Sequence, residues 1–207
     1  MMKILNKILV GLIGIILVVS LTGCHDGNSK KSLQKLSVAE VTHSVFYAPQ
    51  YVAIEKGFFQ EEGLAIELIG AYGADKTMAA LLSNEAQIGF MGPEASVYVY
   101  AQGSKDYAIT FAQVTKRDGT FLVSRKPEPD FKFENLKGKE VIGGRKGGMP
   151  EMTLEYVLKN NGLTLGTNVD AGEVHVRTDI QFAVMAGAFT GGEGDYVTLF
   201  EPMATSV

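Results

Sequence analysis

The chain is 207 residues long, 46% hydrophobic and 20% charged, with a formal net charge of −4 at neutral pH. A single cysteine and no tryptophan mean that no disulfide can form within it, so its stability has to come from a buried core. No basic stripe runs through the sequence, which excludes nucleic-acid binding, and the length suits one large or two small domains.

The predicted elements begin with a leader. Lys3 and Lys7 precede an uncharged run from Ile8 to Cys24; this reads as an export signal and is shorter than the roughly 20 residues of a comfortable membrane span. Leu21-Thr22-Gly23-Cys24 resembles the bacterial lipobox, in which the cysteine thiol takes a diacylglyceryl group. The alternative is an ordinary secretory peptide with a stray buried thiol. On the lipobox reading, residues 1–23 are a lipoprotein signal peptide and residues 24–35 a polar tether. More than one acyl chain is needed for stable anchoring, since each buried methylene contributes about 0.8 kcal/mol, and a lipobox supplies at least two. The expected location is the extracytoplasmic face of the cell membrane, held there through Cys24.

Downstream, apolar periods of 2 and 3.6 alternate. Lys35 to Thr42 reads as a strand, leading through His43 to Tyr47 into a helix with Pro49 near its start and Gly57 past its end. Leu64, Ile66 and Leu68 alternate as a strand. Gly70 to Gly73 then opens a helix with Met78, Leu81 and Leu82 on one face. Ile88 and Phe90 form a strand, Gly92-Pro93 a turn, Glu94 to Ala101 a helix, and Tyr107 to Val114 a further strand. This βαβαβαβ order implies an α/β fold with a mainly parallel sheet. Two prolines in Arg125 to Asp130 break the rhythm and suggest a crossover, giving a first lobe over 36–124 and a second over 125–207. In the second, Glu140 to Ile142 is a strand, Pro150 to Asn161 a helix closed by Gly162, and Glu173 to Val176 a strand. A helix with Ile180, Ala183 and Val184 follows, then a strand over Asp195 to Leu199 and a helix beginning near Pro202.

Phe46-Tyr47-Ala48-Pro49-Gln50-Tyr51-Val52-Ala53-Ile54-Glu55-Lys56-Gly57-Phe58-Phe59 with Glu61-Glu62-Gly63-Leu64, then Asn84 to Gly89, Leu136-Lys137-Gly138-Lys139, Asp195-Tyr196-Val197 and Glu201-Pro202, occur in an order that resembles the solute-binding proteins for nitrate, sulfonates, taurine and thiamine pyrimidine precursors. The resemblance covers nearly all of the chain after the tether. It implies two lobes of type II periplasmic-binding architecture, acting as a monomer that delivers a small solute to an ABC permease and its ATPase. Members run longer, so it also implies that the second lobe is incomplete here, and that such a fragment binds ligand poorly.

In open α/β sheets, ligands sit beyond the carboxyl ends of strands, beside helix N-termini with unpaired N–H groups. The loops at His43 to Tyr47, Gly70 to Gly73, Met91 to Glu94 and Gly143 to Met149 fit that position. The expected ligand-binding residues are His43, Phe46, Tyr47, Tyr72, Gly73, Gly92, Glu94, Gly144, Arg145, Gly147, Gly148, Met149 and Glu151. The glycine loop before Pro150 could cradle an oxyanion, although it is neither a Walker loop nor a dinucleotide fingerprint. Glu151 there either complements the helix dipole or meets a ligand amino group. Tyr47, Tyr72 and Phe46 could stack on a flat ligand, although Phe46 could equally pack into the first lobe's core.

The three histidines have no metal-ligand spacing and the cysteine is consumed by lipid, so neither a metal nor a cofactor is expected. No nucleophile, base and orienter constellation marks a catalytic site. Solute capture is the leading function. A pyrimidine-synthase-like enzyme and a sensory lipoprotein are the alternatives. For the ligand, a thiamine-type aminopyrimidine is favoured, then a sulfonate or nitrate.

Overall fold

The computed structural model describes residues 32–207; the signal peptide, Cys24 and the tether as far as residue 31 lie outside the described residues. β1 (Gln34–Glu40) is the middle of a parallel three-stranded sheet, between β2 (Leu64–Gly70) and β3 (Ile88–Phe90). Parallel neighbours need a crossover of a dozen or more residues, and helices supply it. α1 (Ala48–Glu55) and α2 (Phe58–Glu61) join β1 to β2, α3 (Ala74–Leu82) joins β2 to β3, and α4 (Glu94–Ala101) follows β3. Pro49 lies at the start of α1, and Gly57, at φ 80°, turns the chain between α1 and α2. On α3, Met78 is buried with Ala74 against Val41 and Ala95, while Leu82, expected beside it, is 40% exposed.

The second sheet has the order β4-β7-β5-β6, formed by β4 (Thr120–Ser124), β5 (Glu140–Ile142), β6 (His175–Arg177) and β7 (Tyr196–Phe200). The pairs β5–β6 and β5–β7 are parallel, whereas β4 runs antiparallel to β7. All five residues of β7 are buried, as a central strand covered on both faces requires. Its two hydroxyls are both satisfied: Thr198 donates to the Ile142 carbonyl at 3.3 Å and Tyr196 to Glu128 Oε1 at 2.8 Å. Side chains alternate across a strand, so Val141 and Tyr196 face α5 (Met149–Asn160) while Ile142 and Val197 face α6 (Phe182–Thr190). α7 (Met203–Ser206) follows Pro202. Leu136-Lys137-Gly138-Lys139 is a packing corner: Leu136 is fully buried, and Gly138 turns at φ 66° with the Val169 carbonyl oxygen 2.9 Å from where a Cβ would stand.

The α/β architecture with mainly parallel sheets is as expected, with three differences. Thr120–Ser124, assigned to the first lobe, belongs to the second sheet, because its hydrogen-bonding partner is β7. The crossover therefore lies before β4, and Arg125 to Asp130 is a turn leading out of that strand. Tyr107 to Val114 alternates like a strand yet pairs with nothing. Ile109 and Phe111 are 79% and 78% exposed on a segment with no regular secondary structure: alternation supplies a face but no partner, and the segment pairs with neither outer edge of the β2-β1-β3 sheet.

Candidate functional site

A cavity of about 1150 Å³ opens at the carboxyl ends of β1 and β3, walled by Phe46, Tyr47, Gly92 and Glu94 from the first lobe and by Gly148, Met149, Phe182 and Phe200 from the second. It exceeds the ~300–1,000 Å³ of an ordinary small-molecule pocket because it runs on under residues 106–118, along Leu36, Ile66 and Ile88 of the first sheet. Leu33–Val207 forms one unit, and several contacts join its two sheets around this opening.

Ser44, buried after β1, organises the entry. Its Oγ accepts the Phe46 N–H at 3.2 Å, capping the short turn Val45–Tyr47, and donates to the Glu201 carbonyl at 2.5 Å. That turn presents Phe46 and Tyr47 side by side. Tyr47 is only 7% exposed, with its ring centroid 4.5 Å from that of Phe90. Burial raises its phenol pKa well above the ordinary value, and the charges of Glu40, Asp118 and Glu94 add to the shift. Phe46 lies 5.7 Å from Phe200 in a stacked arrangement and fills the space beside Gly119, which has no Cβ to obstruct it. The Phe46 ring therefore packs against the second lobe, and Tyr47 is, with Tyr107, an aromatic residue with a polar tip in the wall.

Sequence reasoning missed Glu40, at the end of β1. Its carboxylate is almost fully buried and takes donors from the Tyr51 hydroxyl at 2.8 Å, Gln50 Nε2 at 3.2 Å and His43 Nδ1 at 3.0 Å. A carboxylate inside a lobe needs such partners. His43 is thereby drawn away from the cavity, its side chain 73% exposed and its ring beside Tyr51.

The glycine loop is not an open anion cradle. Gly143 N–H donates to the Arg177 carbonyl, Gly147 N–H to Glu151 Oε2 at 3.1 Å, Gly148 N–H to the Arg145 carbonyl, and Met149 N–H to Glu94 Oε1 at 3.0 Å. Two of the protein's own carboxylates occupy the start of α5, where an incoming oxyanion would have bound. Glu151 sits there as the dipole-complementing residue. It is 6% exposed, and burial, with the neighbouring Glu155, raises its pKa. Gly147, at φ 75°, admits the Tyr98 ring of α4, and Gly144, at φ 94°, admits Phe182.

Tyr72, Gly73 and Arg145 lie elsewhere. Tyr72 takes φ 58° and folds its ring over Gly70. Arg145 pairs with Asp75 at 2.8 Å beside Gly73, joining the lobes outside the cavity wall. Thus Phe46, Tyr47, Gly92, Glu94, Gly148 and Met149 line the cavity, whereas His43, Tyr72, Gly73, Gly144, Arg145, Gly147 and Glu151 are not part of its wall.

Glu94 stands out electrostatically. Its pKa is raised, chiefly by burial and further by the Asp118 charge, with N–H bonds from its own backbone and from Met149 offsetting part of the rise. The folded state therefore holds this proton more tightly than the unfolded chain. Its stabilising effect is complete below the ordinary carboxylate pKa and lost as pH rises through the raised one. Glu94→Gln is expected to lose less stability than the parent between pH 4.5, the carboxyl's ordinary pKa, and about pH 7, read as urea midpoints; parallel curves would show that Glu94 titrates normally.

A family model described as NMT1/THI5 like matches residues 45–198, from the turn that carries Phe46 to the middle of β7. The chain belongs to the NMT1/THI5-like family. A Bacillus subtilis (strain 168) protein named as a binding protein, YtlA, is 49% identical to this NMT1/THI5-like chain over 191 residues, covering 92% of the chain and 55% of the relative. A 4-amino-5-hydroxymethyl-2-methylpyrimidine phosphate synthase of Aspergillus parasiticus is 24% identical over 151 residues, 72% of the chain and 42% of the relative. The chain spans about half the length of the curated relatives it matches. Among solved structures, one from Bordetella bronchiseptica RB50 gives a TM-score of 0.63 at 24% identity, covering 83% of this chain and 52% of that one. A Bacillus subtilis lipoprotein named for methionine binding gives 0.55 at 15% identity, covering 83% and 72%, and an ancestral arginine-binding protein gives 0.53 at 18% identity, covering 84% and 74%. At these identities the likeness is one of fold: the NMT1/THI5-like chain has the α/β architecture of periplasmic-type solute-binding proteins.

Proposed function

We propose that the chain is the solute-capturing part of an ABC import system, anchored by lipid on Cys24 at the extracytoplasmic face of the membrane, where it holds a small molecule between its lobes for a permease and its ATPase. The observation that carries this reading is the cavity walled by both lobes, with Glu94 on one side bonded to the Met149 N–H on the other. A ligand bridging such walls binds the closed arrangement better than the open one, and this differential affinity is what a permease can recognise. The aromatic wall of Tyr47, Phe90 and Phe46 favours a flat thiamine-type aminopyrimidine, with alkylsulfonate or nitrate as the second choice. The relative named as a binding protein, with the structural neighbours named for methionine and arginine binding, supports capture over catalysis.

Isothermal titration of the purified chain against 4-amino-5-hydroxymethyl-2-methylpyrimidine, methanesulfonate and nitrate is expected to give weak but saturable binding of the first and still weaker binding of the anions. Conversion of the pyrimidine to product would place the chain with enzymes. A folded chain that binds none of the three would point to a sensory lipoprotein.

A further inference from the structure

Glu94 divides its two carboxylate oxygens unequally. Oε1 accepts the Met149 N–H and so ties the lobes together, while Oε2 is shielded from solvent and has no hydrogen-bond partner among the described residues. The residue is only 7% exposed and belongs to the cavity wall, with its carboxylate lying over Gly92, whose missing Cβ leaves the space it fills. A buried acceptor with an unused lone pair carries a desolvation cost that a donor of the right geometry would relieve. Asp118 and Asp106 line the same cavity and add to its negative charge, and the Asp118 charge also raises the Glu94 pKa. Lys116 and Arg117 of the cavity wall lie at a bend, in no strand or helix, and neither is hydrogen-bonded to Glu94.

We propose that Glu94 Oε2 is the specificity-determining acceptor of the cleft, and that the solute is a flat organic cation that places an amidinium or protonated amine N–H on this oxygen. The proposal rests on the solute-capture reading and adds the charge class of the solute. Because Oε2 is shielded from solvent, the ligand's donor reaches it only as the Glu94 carboxylate turns toward the cavity, with Oε1 keeping the Met149 N–H. Anions are disfavoured by the same carboxylate, and the Gly147 and Met149 N–H groups at the start of α5 are already taken by Glu151 and Glu94.

Benzamidine, benzamide and benzoate share one shape and carry positive, zero and negative charge, so isothermal titration of the full chain with all three isolates the charge preference. The parent is expected to bind benzamidine at least tenfold more tightly than benzoate, with benzamide between them. Glu94→Gln keeps an oxygen for Met149 N–H but turns a donor toward the ligand; it is expected to lose at least tenfold in benzamidine affinity and to narrow or reverse the preference. Glu94→Asp keeps the charge on a shorter stem and is expected to keep the order of the three probes, so a folding defect in one variant does not mimic the result. Equal or tighter benzoate binding by the parent, or benzamidine binding unchanged in Glu94→Gln, would overturn the proposal. If all three probes fail while the pyrimidine or an anion binds, the charge class is wrong and solute capture stands; if nothing binds, both readings fall.

Discussion

Truncating Leu158 to alanine is expected to lower the unfolding free energy by about 2–5 kcal/mol, among the largest losses available from one side chain in the second lobe. Leu158 is fully buried on the inner face of α5, in a cluster with Leu136, Val141, Leu154, Leu163, Val174 and Tyr196. Truncation there removes both transfer free energy and packing contacts, because the facing strands β5 and β7 are held by their own ladders and cannot close the void. Tyr156, two residues earlier on the same helix, is 70% exposed, and Tyr156→Ala should change stability by no more than about 0.5 kcal/mol. Urea denaturation followed by far-ultraviolet circular dichroism measures both, and a loss below about 1 kcal/mol for Leu158→Ala would mean that α5 does not seal this core. The consequence extends to the cleft, since α5 also carries Met149, the second lobe's half of the Glu94 clasp.

Local chemistry made much of this fold legible. Pro49 and Pro150 mark helix starts, Gly57 and Gly162 mark ends, and the nearly unbroken apolar run of β7 marks a strand covered on both faces. What escaped depends on partners distant in the chain. Thr120–Ser124 reads equally well in either lobe, because its allegiance is decided by pairing Thr120 with Phe200. Tyr107 to Val114 has a strand's alternation, yet it joins neither outer edge of the first sheet and remains without a ladder.

At the site, the loops at strand ends were visible as loops, but their internal bonding was not. Glu151, three residues after the N-cap Gly148, sits where a side chain reaches back to cap a helix start, a signal that could have shown the glycine loop to be self-satisfied. Glu40 gave no comparable sign. Its donors Gln50 and Tyr51 come from the next helix, so the sequence shows only a charge at the end of a strand.

Gly92→Ala is expected to undo the clasp without touching a charged group. The Gly92 backbone is not among the positive-φ positions, so alanine suits its conformation; the obstacle is space, because an added Cβ would overlap both oxygens of the Glu94 carboxylate. Glu94 must then swing away, leaving the Met149 N–H without its acceptor in a partly buried setting, at a cost of about 1–3 kcal/mol. Hydrogen exchange reads this directly: the Met149 amide should exchange roughly five- to a hundredfold faster, since about 1.4 kcal/mol corresponds to a factor of ten. The same substitution at Gly187, in the interior of α6 with open space around its Cβ position, should instead stabilise by about 0.5–1 kcal/mol through helix propensity. Opposite signs from one chemical change would show that the close approach of Gly92 to Glu94, rather than glycine's flexibility, is what that turn requires. An unchanged Met149 exchange rate in Gly92→Ala would mean that Glu94 holds the second lobe by some other geometry, and the cleft's preference would then have to arise from another group in its wall.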